Sequence, residues 1–442
     1  MNFGIATFTV ALVLSLFASS EASETTLPRH AILGAGAVDD SGAKINIIVA
    51  GSPAEHAGLE ANDIVLSVGG EAVPTAAEFV ERIRRHRGGD VVDLVVRRDG
   101  KRLSLPIALG SAPNEDDPVV DTLYGAISVD STLRRTLLTI PNGAEGRRPA
   151  ILLIGGIGCY TVDNARDPQD PYMRLTHDLA RSGIVGMRLE KSGVGDSQGP
   201  PCLTVDLATE MHSYEIALAA LKNDPHVDKD HVYLFGHSIG SLEAPRIAQK
   251  DGAAGVVIAE GVGRSWFEYE LLNTRRQLEL AGTSPADIDT AMAGKEFCMH
   301  ALLVERRAES EIESVRPDCK THNAYPAPAA YMQQAAAVNI AEPWTRLTIP
   351  VLAIYGSADF ITDKTDHQRI VDLVNSAHPA LATLRVIDGM DHHLDAAGSV
   401  KAAFAKPGRA GPYDENFSAT VTEWLCAREH CLFAQPRTAQ SR

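Results

Sequence analysis

The chain has 442 residues, 45% of them hydrophobic, and carries 41 Lys and Arg against 57 Asp and Glu, a formal charge of −16. Such a length exceeds one ordinary domain, and the apolar share can build two or three separate cores. The acidic balance argues against a nucleic-acid partner or an anionic membrane surface and favours a neutral or small substrate.

Residues 3–19 are apolar or small, and Ser20-Glu21-Ala22 follows with small residues at both positions that a signal peptidase reads. Residues 1–22 are therefore expected to be a secretory signal peptide cleaved near Ala22, although no Lys or Arg precedes the run. A buried or membrane-spanning helix is the competing reading, but the run is short and nothing else in the chain could span a bilayer. An exported, periplasmic or secreted protein is the expectation.

Six cysteines remain: Cys159, Cys202, Cys298, Cys319, Cys426 and Cys431. An even number in an exported chain predicts disulfides, with about fifteen pairings open. Bonds between near neighbours are favoured for the last four, and Cys159 with Cys202 because both fall on loops expected near the active site. Free buried thiols would suit a cytosolic protein instead. Neither a Cys-x-x-Cys pair nor a zinc spacing occurs, so no metal is expected.

Residues 28–110 read as a small α+β domain. Ile45–Val49 is a β-rich run, and Val91–Arg97 and Arg102–Ile107 flank an Asp99-Gly100 turn, a hairpin signal. Thr75-x-x-Glu78 is a capping box opening a helix to Arg85, with Phe79, Val80 and Ile83 on one face. The run Gly51-Ser52-Pro53-Ala54-Glu55-His56-Ala57-Gly58-Leu59, continuing through Asn62, Asp63 and Ile64, resembles the signature of PDZ domains of the bacterial protease-associated kind. Asn62 stands where that family usually has Gly, and Asn tolerates the left-handed backbone of the turn. The resemblance implies a groove for an extended peptide or a protein C-terminus along Ile32, Leu33, Gly34 and Ala35 and the helix starting near Thr75. A packing module that binds no peptide is the alternative.

Residues 111–121, rich in Asp and Pro, read as a linker, and 122–434 as a second domain. There, Ala150–Ile154, Ile184–Leu189, His231–Phe235, Gly255–Ala259, Val351–Tyr355 and Ala382–Ile387 are short apolar runs separated by helical patterns, which predicts a buried, mostly parallel sheet. Leu207, Met211, Tyr214, Leu218 and Leu221 mark one such helix. The long stretch over about 262–345, containing Trp266, Cys298 and Cys319, is expected to be a helical lid that holds the substrate specificity.

The run His231–Phe235 leads into Gly236-His237-Ser238-Ile239-Gly240 and then a helical pattern, the strand–turn–helix setting of a serine nucleophile. A serine hydroxyl needs a histidine to take its proton and a carboxylate to orient that histidine. Asp359 follows the fifth run and His392 the sixth. Asp363 lies further along its loop, and His393 adjoins His392. The order Ser, Asp, His together with these motifs resembles the α/β-hydrolase family over roughly residues 120–430. That resemblance implies a Ser238-His392-Asp359 triad and an oxyanion hole from the backbone amides of Ile239 and, on the loop Gly155-Gly156-Ile157-Gly158-Cys159, of Ile157. The loop from Glu190 to Gly199 resembles a family loop with a structural task, and its Ser197 lacks flanking glycines.

A carboxylic-ester hydrolase acting through an acyl-enzyme on a small-molecule ester, with no metal or organic cofactor, is the expected function. The alternatives are a peptidase or amidase to which the PDZ-like domain recruits peptide ends, and a non-catalytic PDZ-based binding protein.

Overall fold

The computed structural model describes residues 27–143, 145–408, 410–429 and 431; the signal peptide expected at 1–22 and the end of the span expected to close at 434 lie outside them. In chain order the first part comprises β1 (Ala31–Ile32), β2 (Ala35–Asp39), β3 (Ala43–Ile48), helix α1 (Pro53–His56), β4 (Ile64–Val68), β5 (Glu71–Ala72), α2 (Ala76–Arg84), β6 (Val91–Arg98), β7 (Lys101–Ala108) and β8 (Gly110–Ser111). One antiparallel sheet runs β2-β3-β4-β6-β7 with β5 on β4, while β1 pairs with β8. Asp99 (φ +50°) and Gly100 (φ +75°) make the hairpin turn between β6 and β7, and Asn62 takes the left-handed step at φ +76°. The Thr75 hydroxyl caps α2 by accepting from the Glu78 amide at 3.1 Å. Phe79 and Ile83 are buried, but Val80, expected on the same face, is 46% exposed. One residue advances a helix by about 100°, which turns Val80 away from the side that Phe79 buries.

The second part follows as β9 (Val120–Val129), β10 (Thr132–Pro141), β11 (Arg148–Ile154), α3 (Pro171–Arg181), β12 (Val185–Leu189), α4 (Leu207–Asn223), β13 (Val227–His237), α5 (Gly240–Asp251) and β14 (Gly255–Ala259). Between β14 and β15 (Val351–Gly356) come α6 (Trp266–Leu280), α7 (Pro285–Met299), α8 (Glu309–Val315), α9 (Cys319–His322), α10 (Ala329–Ala336) and α11 (Ala341–Arg346). After β15 come α12 (Lys364–Ala377), β16 (Ala382–Ile387), α13 (Val400–Ala405) and α14 (Glu415–Glu429). The sheet order is β16-β15-β14-β13-β11-β12-β10-β9, parallel except where β10 meets β12 and β9. Every residue of β12 and β14 is buried, because helices cover both faces; hence the unbroken apolar runs. One face packs on α4, α5, α12 and the α6–α11 insertion, the other on α3 and α14. This is the α/β-hydrolase fold, preceded by a PDZ-like α+β unit.

Strands β9 and β10 carry no clear sequence signal. The alternation in β10 is broken by Arg134 and Arg135, yet both are only 2% exposed. Arg134 donates to the Gln198 carbonyl at 2.7 Å, and Arg135 to Asp196 and to the Gly125 carbonyl at 2.9 Å each. Within the expected linker, Ser111 belongs to β8, and Glu115 is buried in a bidentate pair with Arg188, both bonds 2.7 Å, while His177 Nε2 adds a third contact at 2.9 Å. Its polarity therefore marks buried ion pairing rather than solvation. At the other end of the PDZ-like unit, Arg29 bonds Asp163 and Asp196 and lies 4.4 Å over the Tyr124 ring.

Burial would raise the Glu115 carboxyl, but the Arg188 charge and the His177 hydrogen bond bring it down to about 2. A depressed folded-state value means that this contribution to stability is present above the ordinary glutamate value of 4.5 and is lost as pH falls toward about 2. Glu115→Gln strands the buried Arg188 charge and should cost about 3–5 kcal/mol in urea melts at neutral pH. The difference between wild type and variant should shrink across that acid window.

Candidate active site

Strand β13 delivers Ser238 into a turn with φ +55°, a conformation that residues with a side chain seldom adopt. The flanking glycines are dictated by contact. A Cβ on Gly236 would lie 2.5 Å from the Gly240 carbonyl oxygen, and one on Gly240 would lie 2.8 Å from that of Ile154. The Ser238 amide donates to the Ala259 carbonyl at 3.0 Å, which ties the turn to the end of β14.

His392 Nε2 is 3.1 Å from Ser238 Oγ, and its Nδ1 is 2.9 Å from Asp359 Oδ2. The three sequence-derived candidates therefore converge, each at most 8% exposed. Asp359 also accepts from the Ile361 amide at 2.6 Å and from the Thr362 hydroxyl. Burial acts to raise its carboxyl, but the adjacent His392 and hydrogen bonds from His392 and Thr362 hold it well below the usual carboxylate range. Asp363 serves elsewhere: it caps α12 through the Thr365 and Asp366 amides at 2.8 and 3.1 Å and accepts from Arg276 at 3.0 Å. His393 lies edge-on to His392, ring centroids 5.8 Å apart, and lines the cavity. Ser197 is buried and donates to the Glu190 carbonyl at 3.1 Å, a structural contact.

Sequence reading did not single out His237. Its Nε2 is 2.8 Å from the His392 carbonyl, which can only accept, so that nitrogen carries the proton. Its Nδ1 then accepts from the Tyr172 hydroxyl at 2.7 Å, and Tyr172 in turn accepts from the Gly156 amide at 3.2 Å. Burial, then the neighbouring His392, push the His237 imidazole down to about 3, so it is neutral. The chain of bonds joins the Ser238 turn, the His392 loop and the glycine loop after β11. Lys191 holds the latter from behind, donating to the Gly156 carbonyl at 2.7 Å. Ile157, the next residue along and the one expected to give this loop's oxyanion amide, lines the same cavity as Ser238.

Ser238 and His392 open on a cavity of about 480 Å³ walled by Ile157, Tyr160 and Tyr172 and, from the insertion, by Trp266, Tyr269 and Tyr325. The insertion is clipped to the Asp359 loop by Arg276 of α6, which donates to the carbonyls of Phe360, Ile361 and Thr362 at 2.8–3.2 Å. Disulfides join Cys159 to Cys202, Cys298 to Cys319 and Cys426 to Cys431. The first adjoins the glycine loop and the second staples the insertion. Ile32, Leu33, Gly34 and Ala35 lie apart from this cavity: Ile32 pairs with Gly110, Leu33 is buried, and Ala35 opens the edge strand β2 beside α2. Among the described residues, no helix is long and apolar enough to cross a membrane.

Residues 30–109 match the PDZ domain family, and residues 167–395, more than half of the chain, match the family described as serine aminopeptidase, S33. Esterase EstD of Thermotoga maritima is 27% identical over 290 residues, which cover 65% of this chain and 64% of the esterase. The serine endoprotease DegS of Salmonella typhimurium is 31% identical over 86 residues, 20% of this chain and 24% of the protease. The chain thus spans less than two thirds of either relative. Among solved structures, Est1E from Butyrivibrio proteoclasticus shares 14% identity over 70% of this chain and 98% of its own, with a TM-score of 0.44. The chain belongs to the serine aminopeptidase S33 family of α/β-hydrolases and carries a PDZ domain ahead of the hydrolase fold.

Proposed function

We propose that this protein is an exported serine hydrolase that cleaves carboxylic esters, with Ser238 as nucleophile, His392 as general base and acid, and Asp359 as the orienting carboxylate. The observation that carries the reading is the pair of contacts His392 makes, 3.1 Å to Ser238 Oγ and 2.9 Å to Asp359, at the edge of an aromatic cavity. His392 takes the hydroxyl proton as Ser238 Oγ attacks the ester carbonyl. The amides of Ile239 and Ile157 stabilise the developing oxyanion. His392 then protonates the departing alkoxide, and water, activated by the same histidine, releases the acid. The reading divides the chain into a signal peptide at 1–22, a PDZ-like domain at 28–110, a connecting segment at 111–121 and a hydrolase at 122–434 with a lid over about 262–345. Its three disulfides support export.

A second reading, amide cleavage with peptide ends recruited to Ile32–Ala35, draws support from the open edge of β2 beside α2. The two separate on a panel of activated esters and matched peptide amides. Turnover of esters alone favours the first, and strong amide cleavage the second. A chain that neither turns over esters nor reacts with a fluorophosphonate probe would be a binding protein.

Ser238→Ala and His392→Ala should each lower kcat on the order of 10⁴-fold or more, measured on an activated ester. Full activity in His392→Ala would transfer the role to His393. Tyr172→Phe leaves the buried His237 Nδ1 and the Gly156 amide without a partner. It should destabilise the fold by about 1–3 kcal/mol in denaturant melts and lower kcat more than it raises KM.

A further inference from the structure

We propose that Glu260 is a neutral carboxylic acid that donates a hydrogen bond to Asp359, so that the acid arm behind His392 is a carboxyl–carboxylate pair sharing one negative charge. Glu260 is the residue directly after β14, has φ +49° and is fully buried. Its carboxyl, that of Asp359 and a ring nitrogen of His392 offer atoms within 4.8 Å of one another. Oε1 accepts from the Gly356 amide at 2.7 Å. Oε2 lies 3.5 Å from Thr362 Oγ1 and 4.0 Å from His367 Nε2.

His367 does not supply a counter-charge. Its Nε2 accepts from the Gly261 amide at 2.9 Å, so its proton sits on Nδ1, which donates to the Asp363 carbonyl at 2.8 Å. Burial pushes this imidazole down to about 4. The other titratable groups facing Glu260 are Asp359, Asp391, His392 and Tyr355, and His392 is neutral when it acts as base. The Arg276 guanidinium is committed to Asp363 and to the carbonyls of the Asp359 loop.

Two buried carboxyl groups with oxygens within 4.8 Å of each other cannot both ionise without a cation beside them. Asp359 receives donors from Ile361, Thr362 and His392, whereas Glu260 receives the Gly356 amide. The charge therefore settles on Asp359 and the proton on Glu260 Oε2. Burial, reinforced by the Asp359 charge, accordingly raises the Glu260 carboxyl well above its ordinary range. Glu260 is a positioning residue: it acts on His392 only through Asp359, by fixing the carboxylate's orientation while adding no charge of its own.

The inference rests on the triad assignment, and the full chain tests the two separately. Glu260→Gln keeps a donor for Asp359 and an acceptor for Gly356, and Glu260→Ala removes both. We expect Glu260→Gln to stay within about threefold of wild-type kcat with the acid limb of its pH profile unmoved, and Glu260→Ala to lose about tenfold or more in kcat with KM little changed. Difference infrared spectroscopy should show a buried protonated-carboxyl band in wild type that disappears in Glu260→Gln. Replacing an ionised Glu260 by Gln would remove a negative charge near His392 and shift the acid limb to lower pH by about one unit. That shift, or an unchanged infrared band, overturns the proposal, as does wild-type kcat and pH profile in Glu260→Ala. If Glu260→Ala does not fold, the Gln variant's pH profile and infrared band still decide. Turnover by Ser238→Ala would instead sink the triad assignment, leaving the infrared reading of the Glu260 proton intact.

Discussion

Three backbone segments meet at Ser238 with no room for a side chain between them. The ends of β13 and β11 and the start of α5 touch through Gly236, the Ile154 carbonyl and Gly240, at separations that a single Cβ would close. The same contact that forces glycine at both positions sets the glycine loop after β11 against the Ser238 turn. Parallel strands reinforce this. The ends of β13, β14, β15 and β16 lie side by side, and the residues just beyond them are Ser238, Glu260, the Asp359 loop and the His392 loop, as expected for a site at the carboxyl edge of such a sheet.

Crowding at that edge shuts water out, and the polar groups respond by discarding charge. The His237 imidazole is pushed down to about 3 and that of His367 to about 4, while burial lifts the Glu190 carboxyl to about 8. Both imidazoles are neutral at physiological pH, and all three groups act as hydrogen-bonding struts. Asp359 departs from this pattern because it receives enough donors to stay ionised in a dry place. A lone negative charge behind His392 is worth far more there than in water, since the surrounding dielectric is low. The neutral struts sharpen that charge by adding none of their own.

The parts of the site that sequence reading finds are those bound to local pattern. Ser238 sits in a motif whose spacing follows from the turn, and Asp359 is distinguished from Asp363 because it comes first after the strand, where it can face the sheet's edge; Asp363 falls at a helix start and caps it. His392 and His393 differ by one residue in a loop, and only the fold turns one ring toward Ser238. Glu260 and His237 were illegible for a different reason. Their roles depend on partners 99 and 155 residues away in sequence, Asp359 and His392, and no periodicity reports such a meeting. The same holds for β10, where Arg134 and Arg135 break the alternation and their burial depends on Asp196 and two backbone carbonyls.

The segment between the two units makes the same point about charge. A run rich in Asp and Pro with few large apolar residues reads as a linker. Yet Glu115 finds Arg188 and His177 inside the hydrolase, and Arg29, at the opposite end of the PDZ domain, finds Asp163 and Asp196. Each pair is formed between residues more than sixty positions apart. The PDZ domain is thus held by ion pairs at both of its ends, close to where β1 and β8 bring those ends together. Asp163 lies on the loop that begins at Gly155 and lines the cavity with Tyr160 and Thr161. Removing the PDZ domain would therefore do more than delete a separate folding unit. It would remove Arg29 from Asp163, leaving that buried carboxylate to the Tyr124 hydroxyl, on a loop that shapes the cavity, so the hydrolase and its N-terminal domain are one electrostatic unit even though each has its own core.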